Sequence, residues 1–334
     1  MLRTKRPGRG FALFAMVTLG IVAGLVQGAP RAEAAPAYPS RAVTIIVPFG
    51  PGGSADVYAR TLADQLGRET GQPFIVEDRP GAGAVIGTNY VAKAAPNGYT
   101  LLTMSNTQTV NESLLRNKPY QLMRDFVAVA PVNEAPLVLV VRSGLEAKTL
   151  SELIRQAKAA PGKLNFASSG LGTPYHMAGE LFKKMAGVDI VHIPYSSSGA
   201  ARNAVLDGQV DMMFDSVSTM SPLIATGKVR ALATTGKTRS HVLPDVPTMA
   251  ELGLPDYSAT LWLGIVAPKG TPPSIVDFLN HKIAKVVANP ATQAIWAKSG
   301  IEGMTMLPAA FTQFLEEDIA RWRAIVESAH ITVN

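Results

Sequence analysis

The fold is decided by Val43-Thr44-Ile45-Ile46-Val47-Pro48-Phe49-Gly50-Pro51-Gly52-Gly53-Ser54-Ala55-Asp56, an apolar run followed by a glycine loop. The β-branched run predicts a buried strand, which ends at Pro48 because proline cannot donate to a central ladder. The glycines allow a tight turn and a close approach to a ligand. Apolar spacing predicts a helix after them, with Ser54 as its N-cap and one buried face made of Tyr58, Leu62 and Leu66. The free N–H groups of that helix would form one wall of an anion site.

The same loop fits the dinucleotide-binding pattern G-x-G-x-x-G/A through Gly50, Gly52 and Ala55. Glu77 or Asp78 follows the next strand at the distance where such folds place an acid that binds ribose. Two residues oppose this hypothesis, because Pro51 stiffens the loop and Asp56 places a carboxylate where a pyrophosphate would sit. No Lys-Ser/Thr closes the glycine run, which excludes a Walker A loop. An exported α/β enzyme acting on a small carboxylic acid, dependent on a dinucleotide, stays open as the alternative function.

The first 34 residues have the pattern of a secretory signal peptide. Four basic residues precede an apolar segment over 11–26, and Ala32-Glu33-Ala34 is an A-x-A cleavage site. The segment is shorter than the ~20 residues that a membrane-spanning helix needs. Cleavage after Ala34 lowers the basic residues from 31 to 26 and the acidic residues from 25 to 24, a net charge of +2. We therefore expect a mature protein in the periplasm.

Composition excludes several classes of function. The chain has 0 cysteines, so it has no disulfides, no thiolate metal site and no lipid-bearing cysteine. No cluster of lysine and arginine with interleaved aromatic residues follows the signal, which argues against nucleic acid as a partner. The five histidines are scattered without H-E-x-x-H, and no G-x-S-x-G is present, so we expect neither a metal nor a catalytic nucleophile. No cofactor is expected.

The arrangement of strand, polar loop and helix recurs along the chain. Polar loops follow four later predicted strands, at Ser105-Asn106-Thr107, Ser168-Ser169-Gly170, Tyr195-Ser196-Ser197 and Asp215-Ser216. Thr173-Pro174 is a further helix cap with proline at the first helical position. In an open α/β sheet the carboxyl ends of the strands face the ligand crevice, so these loops predict one polar site.

Two domains are expected, because about 300 residues exceed what one hydrophobic core serves. The apolar runs 126–132 and 137–141 are separated by Asn133-Glu134-Ala135-Pro136, which indicates a crossing between domains. Prolines at 244, 247 and 255 mark a connection back. We predict lobe 1 over residues 35–134 and 256–334 and lobe 2 over residues 135–255, with a last helix, 311–326, packed on the first lobe.

Seven segments, in this order, resemble one family across essentially the whole mature chain, the Bug-type extracytoplasmic solute receptors of tripartite tricarboxylate transporters. They are Tyr38-Pro39-Ser40, Val47-Pro48-Phe49-Gly50-Pro51-Gly52-Gly53 with Asp56, Arg79-Pro80-Gly81-Ala82-Gly83, Pro96-Asn97-Gly98-Tyr99-Thr100-Leu101, His192-Ile193-Pro194-Tyr195, Gly227-Lys228-Val229-Arg230-Ala231-Leu232-Ala233 and Leu243-Pro244-Asp245-Val246-Pro247-Thr248. The resemblance implies a type II periplasmic-binding-protein fold, with two α/β lobes and a ligand cleft between them. It also implies a small organic carboxylate as ligand and a two-component integral membrane permease as partner. We expect a monomer, and a receptor that feeds a sensor instead of a permease stays open.

By position, the resemblance implies ligand contacts from ten residues: Phe49, Gly52, Gly53, Ser54, Asn106, Ser168, Ser169, Thr173, Ser197 and Asp215. The serines and Thr173 could instead only cap helices. An acid at 215 repels an anionic ligand unless it binds an amine, a hydroxyl or an ordered water, or caps backbone N–H groups instead. The chain departs from the family where it has Ser196-Ser197 instead of the frequent Lys-Gly, and Ser216 instead of Asn. We therefore expect a ligand whose polarity differs from that of its relatives' ligands.

Overall fold

The computed structural model describes residues 1–2, 38–115, 117–328 and 331 of the 334-residue chain. The predicted signal peptide lies, apart from its first two residues, outside the described part. Residues 41–334 form one compact unit, separate from residues 1–40. Every helix and strand of the described chain lies in that unit.

The described strands follow the chain as Val43–Val47 (β1), Phe74–Asp78 (β2), Thr100–Ser105 (β3), Phe126–Arg142 (β4), Asn165–Ser168 (β5), Val191–Pro194 (β6), Met212–Ser216 (β7), Val229–Thr234 (β8), Thr260–Pro268 (β9) and Glu302–Gly303 (β10). The helices between and after them are Ser54–Thr70 (α1), Val85–Ala92 (α2), Asn106–Leu114 (α3), Leu122–Asp125 (α4), Leu150–Ala159 (α5), Pro174–Ala186 (α6), Ser198–Leu206 (α7), Val217–Ala225 (α8), Pro273–Ala288 (α9), Pro290–Ala297 (α10) and Pro308–Ser328 (α11). No helix of the described chain combines the length and the apolar character that crossing a bilayer requires.

One long strand joins two groups of strands. In the first group β1 pairs in parallel with β2 and β3, and β9 lies antiparallel between β3 and β4. In the second group β5 pairs in parallel with β6 and β7, and β4 pairs antiparallel with β7 and β8. The two parallel sets are the expected result of strand-helix-strand units. Their carboxyl ends carry the polar loops found in the sequence.

The predicted pair of strands around residues 133–136 is instead the single strand β4. Its residues up to Pro136 pair with β9, and the residues from Leu137 onward pair with β7 and β8. The register of β4 shifts between Pro131 and Asn133, and Pro136 is the last residue paired with β9. Proline is tolerated at a bulge or at the end of a ladder, so the polar interruption in the sequence does not break the strand. The strand crosses from one group of strands to the other.

Each group of strands has its own hydrophobic cluster. The first cluster joins β3, β4 and β9 to the last helix, α11, through Met104, Phe126, Trp262, Phe311 and Leu315. The second joins the other half of β4 to α7 and β7 through Val138, Val140, Ala204 and Met213. The last helix therefore packs on the first group of strands, as the sequence predicts. Its Asp318 accepts hydrogen bonds from the Thr109 hydroxyl at 2.5 Å and the Trp262 indole at 3.2 Å.

Candidate functional site

A cavity of about 530 Å³ lies at the loops that follow the strands of both groups. Residues 48–51, 53–55, 80–84 and Ser105 line it from the first group, together with Leu261 and Leu263 of β9. Residues 169–170, 173–175 and 195–198 line it from the second group. Among these described lining residues none is a lysine, arginine, histidine, aspartate or glutamate. Polar contacts to a ligand therefore come from backbone groups and hydroxyls.

The first wall is the glycine loop between β1 and α1. The helix begins at Ser54 with Gly53 as its N-cap, so the predicted cap at Ser54 is one residue too late. Gly53 adopts the extended conformation that an N-cap needs, with φ −81 and ψ 166. Glycine has no side chain to accept the first N–H groups of α1, and these groups have no acceptor within the helix. The N-terminus of α1 therefore offers donors to a ligand.

Asp56, in the first turn of α1, faces its own loop. Its carboxylate accepts a hydrogen bond from the Gly52 N–H at 2.8 Å, and Arg60 Nε lies 2.5 Å from its other oxygen. Arg60 also binds Asp78 at 2.7 Å. Burial, followed by the negative charge of Asp56, raises the pKa of Asp78 above its ordinary value. These contacts hold the glycine loop in place and keep the Asp56 carboxylate out of the cavity lining.

Three other helices that begin at the cavity, α3, α6 and α7, have hydroxyl caps. Thr173 Oγ1 accepts from the His176 N–H at 3.4 Å at the start of α6, and Ser197 Oγ accepts from the Ala200 N–H at 3.1 Å at the start of α7. Ser105 Oγ accepts from the Thr107 N–H at 3.2 Å at the start of α3. The Ser105 N–H in turn donates to Gln108 Oε1 at 2.9 Å, which completes a capping box. Helix α3 is absent from the sequence prediction, although Ser105-x-x-Gln108 is a capping-box signal that could have found it.

The N-terminal part of α1 contacts helices α6, α7 and α8, which follow strands of the second group. Ser54 Oγ lies 3.2 Å from the hydroxyl of Tyr175 in α6, and the Tyr58 hydroxyl, one turn further along α1, lies 2.6 Å from Ser218 Oγ in α8. A Cβ added to Gly53 would stand 3.0 Å from Ser198 Oγ at the start of α7. Three helix N-termini thus meet at one edge of the cavity, and a glycine at position 53 permits the contact.

Six of the ten residues predicted for the site line the cavity: Phe49, Gly53, Ser54, Ser169, Thr173 and Ser197. The other four, Gly52, Asn106, Ser168 and Asp215, are outside the lining. Gly52 donates its N–H to Asp56 and needs its freedom as glycine, because its φ is +76.

Asn106 bridges α3 to β9. Its amide donates to the Thr260 carbonyl at 3.1 Å and its carbonyl accepts from the Trp262 N–H at 3.1 Å. Both ends of this buried side chain are therefore bonded to backbone, and the residue supports the site from behind.

Asp215 is fully buried beneath the site. Its carboxylate accepts from Arg202 Nε at 3.1 Å and Nη2 at 3.0 Å, and from the Ser216 N–H at 2.7 Å. Burial raises the pKa of Asp215, while the Arg202 guanidinium opposes that rise. The carboxylate thus accepts a backbone N–H, which is one of the roles that the sequence left open, and it also binds Arg202.

Two stacked histidines support the loop 168–173. The rings of His176 and His192 lie 4.1 Å apart, centroid to centroid, and Phe166 stacks on both. His192 Nε2 is 2.6 Å from Ser168 Oγ, and His176 Nδ1 accepts from the Gly172 N–H at 3.1 Å. His176 is only 3 % exposed, and its Nε2 is 3.8 Å from Glu180 Oε1. Burial, with the positive charges of His192 and Lys183 adding to it, lowers the pKa of His176 to about 3.

Several lining residues are not among the ten predicted ligand contacts. Tyr175 and Tyr195 come from the second group, and Ala82, Ala84, Leu261 and Leu263 form apolar parts of the wall. Leucines in a strand are typical of a hydrophobic core, so nothing in the sequence distinguishes Leu261 and Leu263 from core residues. Tyr195 directly follows a predicted strand, a position that signals a site residue.

The fold and the cavity define a periplasmic solute-binding protein. The solved structure of the periplasmic binding protein BugD is 33% identical to the chain, covers 88% of it and 99% of BugD, and has a TM-score of 0.84. A second structure, R. palustris Rpa4515 with adipate, is also 33% identical, covers 88% of the chain and 99% of that protein, and has a TM-score of 0.85. The predicted type II periplasmic-binding-protein fold is confirmed.

The family model of the tripartite tricarboxylate transporter family receptor, TctC, matches residues 58–331. Protein BugT of Bordetella pertussis (strain Tohama I) is 41% identical over 291 residues, which are 86% of this chain and 89% of BugT. The chain belongs to the TctC family, and the Bug-type resemblance found in its motifs is confirmed. It is a solute-binding receptor by family, which disfavours the enzyme considered as the alternative.

Proposed function

We propose that this receptor captures a small organic carboxylate between two lobes and delivers it unchanged to a two-component membrane permease of the tripartite tricarboxylate type. One observation carries the proposal: the N-termini of α1, α6 and α7 meet at a cavity whose described lining has no charged side chain. Helix N-termini bind anions through free N–H groups and a partial positive charge. Such a site holds a carboxylate without an arginine.

The proposed ligand contacts are the lining residues of the ten predicted from the sequence, with Tyr175 and Tyr195 added. Each hydrogen bond from a neutral donor to a carboxylate contributes about 1.5–3 kcal/mol, so a few well-placed N–H and hydroxyl groups suffice for tight binding. Rpa4515, a relative of the same fold, is known with adipate bound, which supports a carboxylate as the ligand class.

The proposed lobes are residues 35–134 with 256–334, and residues 135–255. The two clusters of core residues and the crossing strand β4 support this division. The contacts Ser54–Tyr175 and Tyr58–Ser218 join the two proposed lobes, which supports a closed arrangement. A ligand that contacts both lobes shifts the population toward closure, and the closed form is what the permease would recognise. We place the protein in the periplasm as a monomer, after cleavage of residues 1–34.

Thermal-shift measurements on mature protein, residues 35–334, test the proposal. A ligand that binds the folded state raises Tm by mass action. We expect at least one acid from a panel of aliphatic and aromatic mono-, di- and tricarboxylates to raise Tm, while its primary amide does not. If every acid in the panel leaves Tm unchanged, the proposal is wrong.

A further inference from the structure

The way the cavity is lined narrows the class of ligand. Resting on the proposed function, we infer that the ligand carries one carboxylate on an apolar body, with the carboxylate at the N-terminus of α1. The proposal thus distinguishes an amphiphilic monocarboxylate from dicarboxylates and from the tricarboxylates that a transporter of this type suggests by its name.

The first argument is the supply of donors. Five helices begin at the cavity. Helix α1 has a glycine cap, and α3, α6 and α7 have caps whose hydroxyls already accept one of their own N–H groups. The fifth, α2, has the alanine cap Ala84, but its first two N–H groups already donate to the Ala82 and Gly81 carbonyls. Helix α6 loses a second donor because Pro174 has no N–H. The α3 cap is reciprocal, since Gln108 also satisfies the Ser105 N–H. The largest set of unused first-turn donors is therefore at α1.

The second argument is the absence of a counter-charge. No side chain in the described lining is cationic, so a carboxylate away from α1 would have neither a cation nor a full set of free helix N–H groups to replace its hydration. Burying a charge without a partner is strongly unfavourable, and the ligand would have to leave that group in water.

The third argument is the apolar wall. Leu261 and Leu263 of β9 line the cavity together with Phe49, Pro80, Ala82 and Ala84. The two leucines are buried and the alanines have no polar side chain, so this wall offers contacts for methylene or aromatic groups. The volume, about 530 Å³, is in the range of pockets that enclose a whole small molecule. A ring or a short alkyl chain fits this environment better than a second carboxylate does.

Isothermal titration calorimetry on the mature protein tests this with two matched pairs. Hexanoate and adipate have the same six carbons and differ only at the far end, and benzoate and terephthalate are the aromatic counterparts. We expect the monoacid of at least one pair to bind, and each monoacid that binds to do so at least tenfold more tightly than its diacid.

If the diacid binds as tightly or more tightly in a pair that binds, the inference is wrong and the proposed function stands. If neither these four acids nor any other carboxylate binds, the proposed function fails and the inference fails with it. These two failures are therefore distinguishable.

A variant adds an independent test. Ser196 lines the cavity and is exposed, so a lysine there is tolerated by the fold and brings a cation to the cavity. Ser196→Lys should shift the ratio of diacid to monoacid affinity at least fivefold toward the diacid, and the neutral control Ser196→Gln should leave that ratio unchanged. An unchanged ratio in Ser196→Lys, with Tm equal to that of the control, would overturn the inference, because the wild-type site would then already neutralise two charges.

Discussion

The helices on the two sides of the cavity begin with different N-caps. On the α1 side the helix begins with Gly53, which leaves its first N–H groups available and lets the loop touch Ser198. On the opposite side α6 and α7 begin with Thr173 and Ser197, whose hydroxyls accept N–H groups of their own helices. A hydroxyl cap stabilises its helix by about 1 kcal/mol, and a glycine cap gives up little of that. Under the proposed function, the first side would bind the carboxylate and the second side would shape the cavity.

The largest effect on this comparison is expected from removing one N–H of α1. Ser54→Pro deletes the N–H and the hydroxyl at the first helical position, where proline is accepted because Gly53 is extended. Ser54→Ala deletes only the hydroxyl. We expect Ser54→Pro to weaken ligand binding by about 1.5–3 kcal/mol, at least about tenfold in Kd, relative to Ser54→Ala. Equal Kd values by calorimetry, with equal helical circular dichroism, would show that the Ser54 N–H does not hold the anion.

The next prediction concerns how the free energy of unfolding depends on pH through the α6 side. His176, on the α6 side, has a pKa lowered to about 3 by burial, so below about pH 6.5 the unfolded chain binds a proton that the folded chain does not. The stability contributed by the neutral ring is complete above that pH and is lost as pH falls. Between pH 6.5 and 5 we expect the free energy of unfolding to drop by about 2 kcal/mol from this group.

Urea unfolding at several pH values measures that drop. His176→Gln, whose amide oxygen can accept from the Gly172 N–H in place of Nδ1, should reduce the pH dependence. Part of it should remain, because burial also lowers the pKa of His192 to about 4. The control His281→Gln lies on the exposed surface of α9 and should keep the wild-type slope. If His176→Gln keeps the wild-type slope as well, His176 does not determine how the free energy of unfolding depends on pH.

The smallest effect concerns the contact between the sides. Tyr58→Phe removes the hydroxyl that lies 2.6 Å from Ser218 Oγ, without changing a residue of the cavity lining. We expect a loss of about 1 kcal/mol in ligand affinity, about fivefold in Kd, because closure loses one bond. Ser218→Ala should cost little more in the Tyr58→Phe background, whereas fully additive losses would show that the two side chains act separately. Tyr90→Phe, on the exposed surface of α2, is the control.

The sequence predicted the site where its signals were local. The sequence from Val43 to Leu66 predicted its strand, loop and helix correctly. A β-branched run, glycines and a four-residue apolar spacing each determine the conformation of neighbouring residues. The N-cap was misplaced by one residue, since Gly53 and Ser54 are both acceptable caps and only the backbone angles distinguish them.

Orientation at the strand ends was not predictable. Asn106, Ser168 and Asp215 stand where the pattern places site residues, but each side chain turns to a partner that the sequence does not identify. For Asn106 the partner is the backbone of β9, more than 150 residues away. Leu261 and Leu263 were missed for the converse reason, since leucines in a strand are equally typical of a core.

The central claim is that a carboxylate lies at the free N-terminus of α1. The most direct measurement is a crystal structure of the mature protein with the acid that gives the largest thermal shift. We predict carboxylate oxygens within hydrogen-bond distance, about 2.7–3.2 Å, of the backbone N–H groups of Ser54 or Ala55. A carboxylate held by a lysine or arginine, or placed at α6 and α7 with the α1 donors bound only to water, would contradict the account.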